Sequence, residues 1–206
     1  VYDFTSELSS SVDNIVIKGA GMASEGGTVL RFDKQTSGAQ GVFATGNNFV
    51  IQDIAIENTP GDSIKVEGSN GVTIRRVRVE WTNGPDENNG AYGLYPVQCR
   101  NVLIEDSRVR GASDAGVYVG QSELIIVRRN YVWENVAGIE IENSKFADVY
   151  ENETVANTGG VLVFDLPGPP VQGGEATRVF NNNIHDNNTK NFAPEGNIVA
   201  VVPTGT

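Results

Sequence analysis

Short runs of alternating apolar and polar residues follow one another along the chain with hardly a break. Gly116-Val117-Tyr118-Val119 returns 22 residues later as Gly138-Ile139-Glu140-Ile141, and again as Gly160-Val161-Leu162-Val163. Further copies are Ser63-Ile64-Lys65-Val66, Gly93-Leu94-Tyr95-Pro96 and Asn197-Ile198-Val199-Ala200. Intervals between their first apolar residues are 30, 23, 22, 22 and 37, so the base period is 22–23 and two intervals carry extra residues. A fixed period of this length marks a repeat architecture. Each period holds two more runs, such as Phe49-Val50-Ile51 with Ile54-Ala55-Ile56, and Val72-Thr73-Ile74 with Val77-Arg78-Val79. The pair returns as Val102-Leu103-Ile104 with Val109, and as Ile125-Ile126-Val127 with Val132. Alternation inside each run predicts half-buried strands, and helical periodicity is absent. So is the Leu-x-x-Leu spacing of a leucine-rich repeat. The pattern predicts a solenoid of three short strands per turn, stacked in parallel. At about 4.8 Å per coil, about seven coils make a rod of roughly 34 Å.

Aligning the periods produces columns that agree with this reading. One reads Asp53, Arg76, Asp106, Arg129, Glu151 and its neighbour Gln52, Arg75, Glu105, Arg128, Tyr150. Opposite charges stacked one coil apart support each other. Two more read Asn130, Asn152, Asn182 and Asn135, Asn157, Asn187. Asn tolerates left-handed backbone and bonds neighbouring peptide groups, which suits a turn repeated in every coil. The extra residues fall in polar Gly/Pro/Asn-rich stretches near 81–93, 167–177 and 188–197, read as loops inserted into the frame. The whole of 1–206 then reads as one domain.

The Gly-φ-x-φ strands (φ an apolar residue), the Asn columns and the 22-residue coil resemble a right-handed, single-stranded parallel β-helix of the all-β class. The resemblance is to the superfamily of pectate-lyase-like proteins, mannuronan C5-epimerases and NosD-like repeat proteins. Stretches such as "NGAYGLYPVQ", "GASDAGVYVGQS" and "GIEIENS" are similar to those of bacterial parallel β-helix repeat proteins of undefined activity. The likeness covers essentially the whole chain and specifies fold far better than function. It implies a bacterial protein, secreted or periplasmic, that works on or binds a polysaccharide.

Composition narrows the classes. The chain has 206 residues, 24 of them Gly, and a net charge of −11. That charge argues against nucleic acid and anionic membrane as partners, and no apolar run is long enough to span a bilayer. The chain begins at Val and ends on "VPTGT", which suggests a mature or trimmed form. Its single cysteine, Cys99, reads as a small buried apolar residue.

In such a solenoid the inward positions are filled by packing, here Ile64/Val66, Val117/Val119, Ile139/Ile141 and Val161/Val163. Chemistry must then lie on outward positions or loops. Lys65, Tyr95, Tyr118, Glu140 and Leu162 point outward, one per coil. A second column past the strand reads Gln98, Gln121, Asn143, Asp165, while Asp62 and Asp114 precede two strands. Phenols that stack on sugar rings and amides that bond hydroxyls are expected where a polysaccharide lies along stacked strands. The activities of the resembled enzymes, β-elimination or C5-epimerisation of a uronan, need a cation for the sugar carboxylate, a base and an acid. Lys65, Tyr95, Tyr118, Asp114 and Glu140 supply those types as the candidate catalytic set, with Gln98, Gln121, Asn143, Asp165 and Asp62 as substrate-binding candidates. The Asp-Pro-His motif of the epimerases is missing, and the only histidine, His185, reads as a turn residue. A carboxylate pair such as Asp114 and Glu140 also suits glycoside hydrolysis. No cofactor is required by the sequence, although Asp62, Asp86 and Glu87 offer the oxygen ligands of a Ca2+ site. The alternative is a non-catalytic solenoid that binds glycan or associates end to end or side by side, since an uncapped β-helix exposes strand edges that can pair with another chain.

Overall fold

The computed structural model describes residues 1–171 and 173–195. Among them there is no α-helix, and every named strand pairs with its neighbours in parallel. One coil runs through Ala115–Gly120, Glu123–Arg128 and Tyr131–Trp133 before Ala137–Glu142 begins the next. The first strand of every coil belongs to a seven-stranded sheet and the other strands to a thirteen-stranded one. Val117 pairs with Ile139 and Ile139 with Val161, so the repeat is one coil in register, seven coils deep among the described residues, where the sequence predicts about seven.

The first two coils were not legible as copies. Leu8 and Val42 continue the column into Ile64, on the strands Ser6–Ser10 and Ser37–Ala44. Residues 197–200, expected as a further copy, lie outside the described residues. Two more expectations change. The second and third runs fuse into single strands in the early coils, Phe49–Glu57 and Asn70–Glu80. Strand Asn183–His185 ends on His185, which is bonded to Asp186 and Glu153 rather than sitting in a turn.

Left-handed residues make the corners, and they recur in four columns. Gln98, Gln121 and Asn143 form one, Asn101, Leu124 and Phe146 a second, Asp53, Arg76, Asp106, Arg129 and Glu151 a third, and Glu134, Ala156 and Asp186 the fourth. Asp and Asn visit this region readily, whereas Arg does so at a steric cost. That cost is offset where it arises. Arg76 grips Asp53 at 2.6 and 2.9 Å and Arg129 grips Asp106 at 2.7 and 2.9 Å, each through two nitrogens. Arg128 likewise reaches back to Glu105 and forward to Tyr150.

Inside, Val, Ile and Leu of successive coils stack in one continuous core from Leu30 to Val149. The Asn columns close two corners of it. Asn130 donates to Asn152 and Asn152 to Asn182, while Asn135 donates to Asn157 and Asn157 to Asn187, at 2.8–3.0 Å. The Gly opening each Gly-φ-x-φ strand is a packing requirement. A Cβ on Gly116 would lie 2.5 Å from Val132 and 2.9 Å from the Asn135 amide nitrogen. Cys99 is buried in a column with Ser122 and Ser144, its thiol bonded to the carbonyls of Val66 and Val97. Burial pushes that thiol up to about 11, which suits a structural residue.

A third ladder of ions was not visible in the sequence. Arg31 meets Glu57, Glu57 meets Arg78, Arg78 meets Glu80, Glu80 meets Arg110, and Arg110 meets Glu134. Arg78 and Glu57 are both buried, and Arg78 also donates to the Met22 carbonyl. Here Arg78 and Glu80 lie on one strand, so the partners alternate along the chain as well as across it.

Candidate functional site

The outer face of the seven-stranded sheet carries the predicted strip, but that strip is not flat and open. Phe43, Lys65 and Tyr95 are in register on adjacent strands, as are Tyr118, Glu140 and Leu162. Lys65 and Tyr95 are partly covered, whereas Tyr118 and Glu140 are only 5% and 1% exposed. The expectation of five outward, solvent-facing side chains therefore needs correction for those two. The cause is local: three tyrosines pack together over the sheet. Tyr92 lies 4.6 Å from both Tyr95 and Tyr118, ring centre to ring centre, and Tyr95 meets Tyr118 edge-on at 5.0 Å.

Two members of this cluster were missed. Tyr92 ends the inserted loop and shares a column with Ala115, Ala137 and Gly159. That run of small residues, readable in the sequence, marks a space which a large neighbour fills. Glu142 accepts a short hydrogen bond of 2.5 Å from the Tyr118 phenol. Its column neighbour Gly120 carries the corresponding signal, because a Cβ there would collide with the Tyr118 ring. Only Gly lets the phenol lie across the strand and reach the next coil.

Three carboxyls thus gather beside three phenols. Asp114, Glu140 and Glu142 are 2%, 1% and 6% exposed. Burial, then the Asp114 and Glu142 charges, raise Glu140 well above the usual carboxylate range. Glu140 Oε1 has no hydrogen-bond partner. Burial also raises the Tyr92 and Tyr118 phenols far above their ordinary value and Tyr95 to about 12. Ionisation of Glu140 and of the three phenols is therefore disfavoured. At the near end, Lys65 Nζ is 3.1 Å from Glu67 and sits 5.2 Å from the Tyr95 ring centre and 5.7 Å from that of Phe43.

The candidate binding column divides differently. Gln98 is exposed and bonds Gln121 at 3.3 Å. Asn143 is buried and exchanges two hydrogen bonds with the Leu166 backbone, while both Asp165 oxygens accept from Gly174 N–H. Gln121 also accepts from Val171. These are corner residues whose amides and carboxylate anchor the inserted loop after Phe164, so a place on an open binding face is corrected for Asn143. Asp62 accepts from the Tyr92 N–H, and burial raises its carboxyl. Asp86 is held low by hydrogen bonds from Asn88, and among the described residues no group of three acidic, His or Cys side chains is placed to hold a metal.

A measurable consequence follows from Glu140. Its folded form holds a proton more tightly than the unfolded chain, whose Glu titrates near 4.3. This contribution to stability is complete below that value and is lost as pH rises through the folded one. Glu140→Gln keeps the shape and cannot ionise. The thermal midpoint of Glu140→Gln minus that of wild type should therefore climb as pH rises above about 4. A flat difference would show that Glu140 is not held protonated.

A family profile described as a right-handed β-helix region matches residues 10–168. No curated protein matches the chain.

Proposed function

The chain belongs to the right-handed β-helix family, and on that scaffold we propose a carbohydrate-active protein of the bacterial cell exterior or periplasm. A polysaccharide lies over the seven-stranded sheet, with Tyr92, Tyr95 and Lys65 at its approach. Asp114, Glu140, Glu142 and Tyr118 are the acid–base groups. The observation carrying this reading is the cluster itself: three carboxyls and three phenols collected outside the core, where coil packing does not call for them. Buried carboxyls with raised pKa values concentrate at functional sites.

The chemistry of the cluster favours one step over another. Elimination or epimerisation of a uronan needs an ionised base and a free cation for the sugar carboxylate. Lys65 is paired with Glu67, and burial disfavours ionisation of Glu140. A protonated carboxyl suits donation to a glycosidic oxygen, as in hydrolysis, with a second carboxylate to activate water. Closure of Tyr118 and Glu140 supports a second reading, in which the face holds glycan without turning it over.

The test is incubation with alginate, pectate, polygalacturonate and neutral and amine-bearing glucans, with and without calcium. Unsaturated uronate absorbance, epimerised units by NMR and new reducing ends are followed, and binding is measured by calorimetry. New reducing ends that vanish in Glu140→Gln are the expected result. Binding without products establishes the second reading. Neither binding nor turnover on any glycan overturns the proposal.

A further inference from the structure

Resting on the second reading, in which the face holds glycan without turning it over, we propose that the acid–tyrosine cluster receives a protonated amine, so that the glycan is an amino-sugar polymer carrying free amino groups. Three observations converge. The first is Glu140, whose side chain is almost wholly buried among Asp114, Glu142 and Tyr92, with Oε1 lacking a hydrogen-bond partner. A buried carboxyl oxygen left so is costly, and a cation is the partner that relieves it most.

The second is that the same sheet face already shows how it holds an ammonium. Lys65 Nζ lies beside Tyr95 and Phe43 and pairs with Glu67. Farther along the sheet, aromatic ring and carboxylate recur as Tyr118 with Glu140 and Glu142, and among the described residues neither Glu has an ion-pair partner. Aromatic faces with nearby carboxylates are the chemistry that recognises organic cations. The third is charge. Among the described residues, Asp62, Glu67, Asp114, Glu140 and Glu142 share the neighbourhood with one cation, Lys65, on a chain of net charge −11. A polymer with a carboxylate on each sugar is repelled there, whereas one with ammonium groups is drawn in.

Proton balance follows directly. The amine arrives protonated, Glu140 releases its carboxyl proton to solvent, and the carboxylate then faces the ammonium. Only the Glu140 O–H bond breaks. Entry of the amine requires the tyrosine cluster to open, because Tyr118 and Glu140 are closed to solvent.

Calorimetry of the intact chain with glucosamine oligomers, their N-acetylated counterparts, oligogalacturonate, neutral glucan oligomers and oligolysine tests this. The glucosamine oligomer should bind at least about tenfold more tightly than its N-acetylated form. Binding should release protons, detected as heat that varies with buffer ionisation. Glu140→Gln should abolish both the preference and the proton release, and Glu25→Gln, at an exposed carboxylate outside the cluster, should leave both unchanged. Binding of oligogalacturonate or neutral glucan without an amine preference overturns the inference while the polysaccharide reading stands. Oligolysine binding equally well, with Glu140→Gln without effect, also overturns it, because attraction to an acidic surface then suffices. Failure of every glycan takes down both.

Discussion

Arg78→Ala should lower the stability of the protein by about 3–5 kcal/mol, the cost of breaking a buried ion pair by removing one partner. Arg78 joins Glu57 at 2.6 Å and Glu80 at 2.6 Å, and its side chain is only 11% exposed. Without it, Glu57 keeps its own burial and one partner, the 41%-exposed Arg31 at 3.3 Å. The ladder is cut between the early coils and the Arg110–Glu134 segment, and the Met22 carbonyl loses its hydrogen bond from Arg78. In a chain of this length the thermal midpoint should fall by roughly 10 °C. Arg31→Ala is the internal control, because it leaves Glu57 with its closer partner Arg78 and removes the more exposed cation, at a cost of under about 1 kcal/mol. Equal losses from the two variants would show that burial of Arg78 is irrelevant to its role.

Asn157→Ala should be of similar severity for a different reason. The Asn157 side chain accepts from both the backbone and the side chain of Asn135. It donates to the Val132 and Val155 carbonyls and to Asn187. Alanine leaves groups of two adjacent coils buried without partners, at about 1–3 kcal/mol each. Urea unfolding should show a loss of at least about 3 kcal/mol. Asn157→Asp retains the acceptor and loses the donor, so its loss should exceed that of an exposed corner substitution such as Gln98→Ala. Indifference to Asn157→Ala would mean that backbone pairing alone closes this corner.

How much of this could be read beforehand depends on what repeats. Val117, Ile139 and Val161 recur at a fixed spacing because each coil must supply the same inward residue. The Asp53–Arg76 and Asp106–Arg129 pairs were visible for the same reason. Leu8 and Val42 were missed because 34 residues separate them in register, so the period is masked there. The Arg31–Glu57–Arg78 ladder escaped notice because Arg78 alternates with core valines on its strand and reads as the polar face of a half-buried run. At the candidate site, Tyr118 and Glu140 were found from their outward phase. Their burial depends on the Tyr92 ring, delivered by a loop that obeys no period. Glu142 came into view only through the path of the Tyr118 side chain across Gly120.

The alternating corner charges impose a parity on the rod. A copy of the coil that carries Arg128 and Arg129, spliced in directly after itself, would set arginine above arginine in both columns and lose the carboxylates that hold those left-handed corners. The Asn columns would accept such a copy, since each Asn bonds an identical neighbour. Between Asp53 and Arg129, length can therefore change without setting like charges together only two coils at a time. The structural unit along the axis is a pair of coils, acidic then basic, although the backbone repeats with every one.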